Sequence, residues 1–353
     1  MQLVHISHTD LDGYGCQYIT KRIFKDPVFY NANYGLEVKI FLKDALSTIR
    51  ETYKDTEVLL LITDLNLTSD EAKQLNRDIN HLKNDGYNIE LQLLDHHGTG
   101  KKSAEKFDWY FLDTKRSATK ITFDYFNQDN NKYNLEFKDT YDGNFVDLID
   151  AINAVDIWLD EDPLFEFGKV CLTMISKSYE INNLIFPLQS RAYKFHLLDG
   201  ALSYISKENA HISLDENLYH IKKEFLNITD KNDTIDNISS TYLVHSLESK
   251  KDDMTIFYND HKGLLTYGLG SISIPANAFL KANPDFHFFI DISKRGRSGL
   301  RANNELDVSV LAQKLCGGGG HPNASGMAFT DFKEQALYQK VREFMQLKLD
   351  SCI

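Results

Sequence analysis

The stretch Leu3-Val4-His5-Ile6-Ser7-His8-Thr9-Asp10-Leu11-Asp12-Gly13 decides how this chain is read. A short apolar run, Leu3–Ile6, fits a buried strand and passes directly into His8, Asp10, Asp12 and a glycine. The pattern recurs twice. Glu57–Thr63 (EVLLLIT) is almost continuously apolar and delivers Asp64, and Asn88–Leu94 (NIELQLL) delivers Asp95-His96-His97-Gly98. Such runs suit strands covered on both faces. Between them, Gly13–Lys25 has helical spacing, and Asp70–Asp85 reads as a polar-amphipathic helix closed by Gly86. Thr114–Gln128 and Phe145–Trp158 read as further helices. The β-α-β-α-β order predicts an α/β fold with a doubly wound, mostly parallel sheet.

Ligands of such sheets bind outside the carboxyl ends of the strands. There the three strands deliver His8, Asp10, Asp12, Asp64, Asp95, His96 and His97 to one edge. Clustered carboxylates repel one another unless cations bind them. Oxygen and imidazole donors together suit Mn²⁺, with Mg²⁺, Co²⁺ or Zn²⁺ as alternatives. Two ions about 3.5–4 Å apart would balance so many ligands. Any one of these acids alone reads as a turn residue or helix cap; the argument rests on their conjunction. Asp156, in VDLIDAINAVDIW, lies four residues after Ile152 and seven after Ile149, on the inward face of a helix. A carboxylate there needs a partner: a metal, an arginine or a helix end.

The 353 residues carry 39 Lys+Arg against 51 Asp+Glu, a net charge of −12. That balance disfavours long duplex DNA held on a broad basic face and leaves room for short anions at a local cation cluster. The four cysteines show no CxxC spacing, which argues against a structural zinc site and a disulfide framework. No run reaches the roughly 18 apolar residues of a membrane span. A reducing cytoplasm is the expected location.

Residues 1–185 are read as the first domain and 186–238 as a helical connector, with the Gly200 region breaking its helices. Residues 239–353 form a smaller mixed α/β domain, with strands at Thr241–Ser246, Met254–Tyr258 and Phe286–Ile292 and a helix at Asp307–Leu315. The active site is expected in the cleft between the domains. In the second domain Gly317–Gly320 precede His321, and a run without Cβ atoms can close backbone N–H groups around an anion. Upstream, KRGRSGLR (294–301) holds four cations in eight residues, which reads as a phosphate clamp with Arg301 foremost. Arg116 and Ser117 open a helix, Ser117 as a cap and Arg116 as a candidate to reach the metal site. Tyr14, Tyr34 and Phe279 are candidates to stack a base, each with core packing as the rival role.

SHTDLDG, LITDLNL, LLDHHGTG and the later Asp156 resemble the four motifs of the DHH phosphoesterase superfamily, and CGGGGHPNASG (316–326) is similar to the signature of its associated C-terminal domain. The two sets span both halves in the right order. The resemblance implies a two-metal hydrolase of phosphoesters, usually with Mn²⁺. It implies that Asp10 binds one metal, Asp12 the other, and that Asp64 bridges both. His96 and Asp156 would complete the second site, His97 would lie near the attacked phosphate, and Asp95 would orient the histidines. Arg301, Gly318, Gly319, Gly320 and His321 would hold substrate. Pyrophosphatase-like members carry a histidine four residues before the first Asp; Ile6 stands there, so His8 is the candidate ligand. The first motif and the length look most like the NrnB-type oligoribonuclease branch. That branch degrades short RNA oligonucleotides to mononucleotides by two-metal activation of water. The alternatives are a phosphatase of 3′-phosphoadenosine 5′-phosphate, a cyclic or linear dinucleotide phosphodiesterase, a pyrophosphatase, or a non-catalytic nucleotide-binding regulator. A homodimer is a further expectation.

Overall fold

The computed structural model describes residues 1–128 and 143–352. The chain forms two compact units, Met1–Ser178 with Lys194–Leu218, and Tyr179–Tyr193 with Tyr219–Ile353. In order, the elements of the first part are β1 (Gln2–Ser7), α1 (Leu11–Ile23), β2 (Val28–Asn31), α2 (Leu36–Thr52), β3 (Val58–Thr63), α3 (Ser69–Asn84), β4 (Ile89–Asp95), α4 (Lys101–Ala104), β5 (Tyr110–Leu112), α5 (Ala118–Phe126), α6 (Gly143–Asp156) and α7 (Phe165–Ser176).

The five strands pair in parallel in the order β2-β1-β3-β4-β5. From β1 the chain turns outward to β2, then crosses to β3 on the other side of β1. The reversal makes the carboxyl ends of β1 and β3 a topological switch point, where open α/β sheets leave a crevice. Strand alternation sends Val4, Ile6, Leu60, Ile62 and Leu93 to one face, against Leu42, Leu46 and Ile49 of α2 and Leu75 and Ile79 of α3. The other face is covered by α1 and α5, with α6 and α7 packed beyond. Every residue of β3 is buried, as its unbroken apolar run requires. The capping box of Thr68 and Glu71 starts α3. Short β2 and β5, together with α2 and α7, are elements the sequence reading did not separate.

Three helices follow: α8 (Pro187–Leu202), α9 (Ala210–Leu226) and α10 (Ile235–Leu247). The break expected in the Gly200 region lies just beyond it, between the end of α8 at Leu202 and the start of α9 at Ala210. One expectation fails here. Thr241–Ser246 is no strand but the end of α10, capped by Thr234, whose side chain accepts from Asn237 N. Its β-branched and aromatic residues favour strand locally, but Leu243 and Leu247, one helical turn apart, are buried together, and Ile238 is buried as well.

The second sheet comprises β6 (Thr255–Tyr258), β7 (His261–Tyr267), β8 (Phe288–Ile292), β9 (Arg297–Ala302), β10 (Gly319–His321) and β11 (Ala324–Ala328), in the order β10-β11-β9-β8-β7-β6. Only the β7–β8 pair is parallel. Between the strands lie α11 (Ser273–Ala282) and α12 (Val308–Cys316), and α13 (Tyr338–Asp350) ends the chain. Asp307 caps α12 by accepting from Ser309 N and Val310 N, as its sequence position predicts. Leu265, Tyr267, Phe288, Ile290 and Leu300 form the core with Leu311, Val341 and Met345. The described residues contain no helix long and apolar enough to cross a membrane.

Candidate active site

Asp10 stands just beyond β1, with one carboxylate oxygen accepting from Gly13 N at 3.0 Å to cap α1 and the other accepting from His8 Nδ1 at 2.7 Å. The cap and cluster readings of this acid are therefore both true. A Cβ on Gly13 would lie 2.4 Å from the His8 carbonyl oxygen, so only glycine lets the loop fold back this tightly. Asp12, 1% exposed, is held from another direction. Its carboxylate accepts from Ala118 N at 2.7 Å and Thr119 N at 2.8 Å, the first amides of α5. Those amides have no partner inside the helix, and the helix dipole adds favourable charge.

Asp64 follows β3 directly, in the left-handed region with φ of 56°. Asp and Asn tolerate that backbone better than other side chains. The turn brings the Asp64 carboxylate against three histidines: Oδ1 is 3.4 Å from His96 Nε2 and 3.9 Å from His97 Nδ1, and Oδ2 is 3.7 Å from His8 Nδ1. Oδ2 is buried without a hydrogen-bond partner. His96 Nε2 also lies 3.7 Å from Asp12 Oδ2 and 3.5 Å from Asp156 Oδ2, so the last residue of α6 reaches the strand ends as its inward face predicts.

Asp95 is fully buried, accepting from His97 Nδ1 at 2.7 Å and from the Tyr110 hydroxyl at 3.0 Å. It orients His97. Gly100, the second glycine of DHHGTG, makes room for this support: a Cβ there would sit 2.1 Å from the Tyr110 hydroxyl.

The ionisation of the cluster follows from this crowding. Burial pushes the carboxyl of Asp64 well above its ordinary range, and the charges of Asp12 and Asp10 push further. Burial, then Asp12, raises Asp156 to about 9. Burial also raises Asp12, against the pull of His96. Burial opposes the charge on His8, but Asp10 and Asp64 outweigh it and raise His8 to about 10; Asp10 in turn, despite burial, falls to about 2 beside His8. The hydrogen bond to Asp95 raises His97. Such a set holds either protons or cations.

The donor geometry fits cations. Three groups bring one donor atom of each member within 4.8 Å of the others: His8, Asp10 and Asp64; Asp12, His96 and Asp156; Asp64, His96 and His97. Most of the contacts of Asp64 and His96 are too long for hydrogen bonds. They approach the ~3.0–3.4 Å expected between two ligands about 2.1 Å from a shared ion. With the unpartnered Asp64 Oδ2, the mixed oxygen and imidazole set suits divalent metal ions.

Other expected site residues fare differently. Arg116 is not among these groups; its guanidinium pairs with Asp113 at 2.8 Å and Asp124 at 2.5 Å. The segment serves the cluster instead through Ser117, which caps α5, and through the Ala118 and Thr119 amides on Asp12. That contribution comes from backbone groups, which residue types do not advertise. Tyr14 and Phe279 are buried core residues, whereas Tyr34 is 43% exposed and its ring lies 5.2 Å from that of His8.

In the second unit the glycine run is not an open cradle. Gly317, left-handed at φ 73°, ends α12, and its N–H and that of Gly318 bond to Gln313 and Ala312 carbonyls. Gly319 and Gly320 join His321 in β10 at the sheet edge. A Cβ on Gly318 would meet the Gly326 carbonyl oxygen at 2.5 Å. His321, Ala324 and Arg301 are paired across β10, β11 and β9 and share one face. Arg301 donates to Ser273 Oγ at 2.7 Å and lines a 360 Å³ cavity with Ser273, Ile274, Asn277, Asn303 and Asn323.

No family model matches the chain. It is 43% identical, over 97% of both chains, to a 3′,5′-cyclic-nucleotide phosphodiesterase from Helicobacter pylori. It is 24% identical, over 92% of its own length and 72% of the relative's, to oligoribonuclease NrnB from Bacillus subtilis. Among solved structures, an uncharacterized protein from Helicobacter pylori G27 superposes with a TM-score of 0.90 at 42% identity, covering 99% of each chain. Taken with the acids and histidines assembled at its strand ends, these likenesses place the chain in the DHH phosphoesterase superfamily, in its NrnB-like part.

Proposed function

We propose that the protein is a divalent-metal-dependent phosphodiesterase of small nucleotides, with a 3′,5′-cyclic nucleotide as its first substrate and short oligoribonucleotides as its second. The observation that carries the reaction class is Asp64, whose buried carboxylate faces His8, His96 and His97 at once. Two ions would be held, one by His8, Asp10 and Asp64 and the other by Asp12, His96 and Asp156, with Mn²⁺ the foremost choice. Bound there, divalent cations supply positive charge to the phosphoryl oxygens and make water more acidic. Asp64 keeps the two groups in register. With His97 Nδ1 committed to Asp95, Nε2, 3.4 Å from the Tyr34 hydroxyl, is the nitrogen that would move a proton at the phosphate. Arg301, His321 and the exposed edge of Gly319 and Gly320 would bind nucleotide, while Gly318 shapes that edge. Arg116, engaged by two aspartates, is not kept as a substrate ligand.

Identity of 43% across nearly the whole of both chains favours the cyclic nucleotide over the short RNA expected from the motifs. The NrnB likeness keeps short RNA as the second reading. The four free thiols fit a reducing cytoplasm.

The test is product formation from 3′,5′-cyclic AMP and from 5′-labelled RNAs of about 2–24 nucleotides, with Mn²⁺ or with chelator, beside 3′-phosphoadenosine 5′-phosphate. Metal-dependent opening of the cyclic ester supports the first reading, and preferential digestion of the shortest RNAs the second. Phosphate release from the last substrate alone would make the protein a phosphomonoesterase. Nucleotide binding without any turnover would make it a regulator.

A further inference from the structure

Seven described residues other than glycine have positive φ: Asp26, Asp64, Trp158, Asn209, Asp230, Asn259 and Asn304. Six are Asp or Asn, the side chains that tolerate the left-handed region. Trp158, at φ 58°, is the exception. It sits where glycine is the usual residue, just past the C-terminus of α6, in a cap whose closing bond runs from Leu159 N to Ala154 O at 2.8 Å. Packing does not explain the choice, because Trp158 is 64% exposed. Its ring meets Phe165 edge-on at 5.1 Å and leaves most of its surface to solvent.

Its position supplies a reason. Trp158 follows Asp156 by two residues, which limits its Cα to about 7 Å from that of the acid. Asp156 is the end of α6 that reaches His96 and Asp12. A left-handed cap thus presents a large, flat, exposed indole within two residues of an acid of the cluster. Strain of this kind gathers at binding sites. Tyr34, exposed and against His8 and His97, borders the other group of ligands.

We infer that Trp158 is a stacking platform for the nucleobase of the substrate whose phosphate the cluster holds, so that each ligand group has one exposed aromatic at its edge. The inference rests on the phosphodiesterase reading. An aromatic face gives a base sequence-tolerant affinity, which suits an enzyme that accepts more than one nucleotide.

The test uses the full-length protein with Mn²⁺ and 3′,5′-cyclic AMP. Trp158→Gly should raise KM by roughly ten-fold with a much smaller change in kcat, and Trp158→Phe should recover most of the loss. The thermal midpoint of Trp158→Gly should not fall, because glycine is at ease at this φ. The chain has two tryptophans, and Trp109 packs against the core and donates to Asn76. In a Trp109→Phe background the emission therefore reports Trp158, and AMP should quench it. A wild-type KM in Trp158→Gly, absence of quenching, or a changed oligomeric state in place of a changed KM would overturn the role of Trp158. Absence of hydrolysis by the wild-type protein would instead overturn the phosphodiesterase reading.

Discussion

Replacing Asp156 by Asn should make the metal-free protein more stable while removing a ligand from the site. The Asp156 side chain is 24% exposed, ends a helix whose dipole disfavours negative charge, and has a pKa raised from 3.8 to about 9 by burial and by Asp12. A carboxyl whose folded pKa lies above its unfolded value costs nothing below the unfolded value. The cost then grows as pH rises and levels off past the folded value. At pH 7 the interval above 3.8 is worth up to ~4 kcal/mol, and allowing for partial solvation about 2–4 kcal/mol is expected. For a protein of this size that is a rise in Tm of roughly 3–5 °C. The assay is thermal unfolding of wild type and Asp156→Asn in chelator, from pH 4 to 8. The two should coincide near pH 4 and separate progressively. Saturating Mn²⁺ should reverse the order, since a ligand at about 1,000 times its Kd adds about 4.1 kcal/mol to the form that binds it. A variant less stable than wild type in chelator, or a gap that does not widen with pH, would refute the argument that crowded carboxylates are held at a cost.

Asp64→Asn keeps a side chain suited to φ 56° but removes the carboxylate facing three histidines, so turnover should fall by about 10³-fold or more with melting behaviour retained. Near-wild-type hydrolysis would displace Asp64 from the centre of the site. Tyr110→Phe deletes the hydroxyl that steadies Asp95 and should cost roughly 10–100-fold in kcat or metal affinity, read by Mn²⁺ titration of activity. Gly13→Ala forces a methyl against the His8 carbonyl oxygen and should destabilise by about 1–3 kcal/mol, measured as a lower urea midpoint.

The parallel sheet and the polar residues at its strand ends were legible for one physical reason. A buried strand advertises itself by an unbroken apolar run, and a polar residue at its carboxyl end is conspicuous, so Asp10, Asp64 and Asp95 stood out. Their partners by backbone did not: nothing in the identities of Ala118 and Thr119 shows that their amides hold Asp12. The glycine run before His321 allowed several backbone paths, and the helix cap and strand pairing of the second unit selected one. Arg116 looked available because sequence spacing does not show that Asp113 and Asp124 flank it in space. The strand assigned to Thr241–Ser246 failed because local propensity was weighed above the one-turn spacing of Leu243 and Leu247.

The double duty of Asp10 and Asp12 bears on how relatives of this chain should be judged when they lose activity. Asp10 starts α1 and Asp12 pins α5, so selection for folding alone would preserve both after catalysis had lapsed. Asp64 and Asp156 give the fold no such service, and their confinement is a burden once no cation is bound. An inactive descendant should therefore shed Asp64 and Asp156 first while its opening motif still looks intact. The later acids, not the first pair, are the informative positions for telling a working enzyme from a retired one.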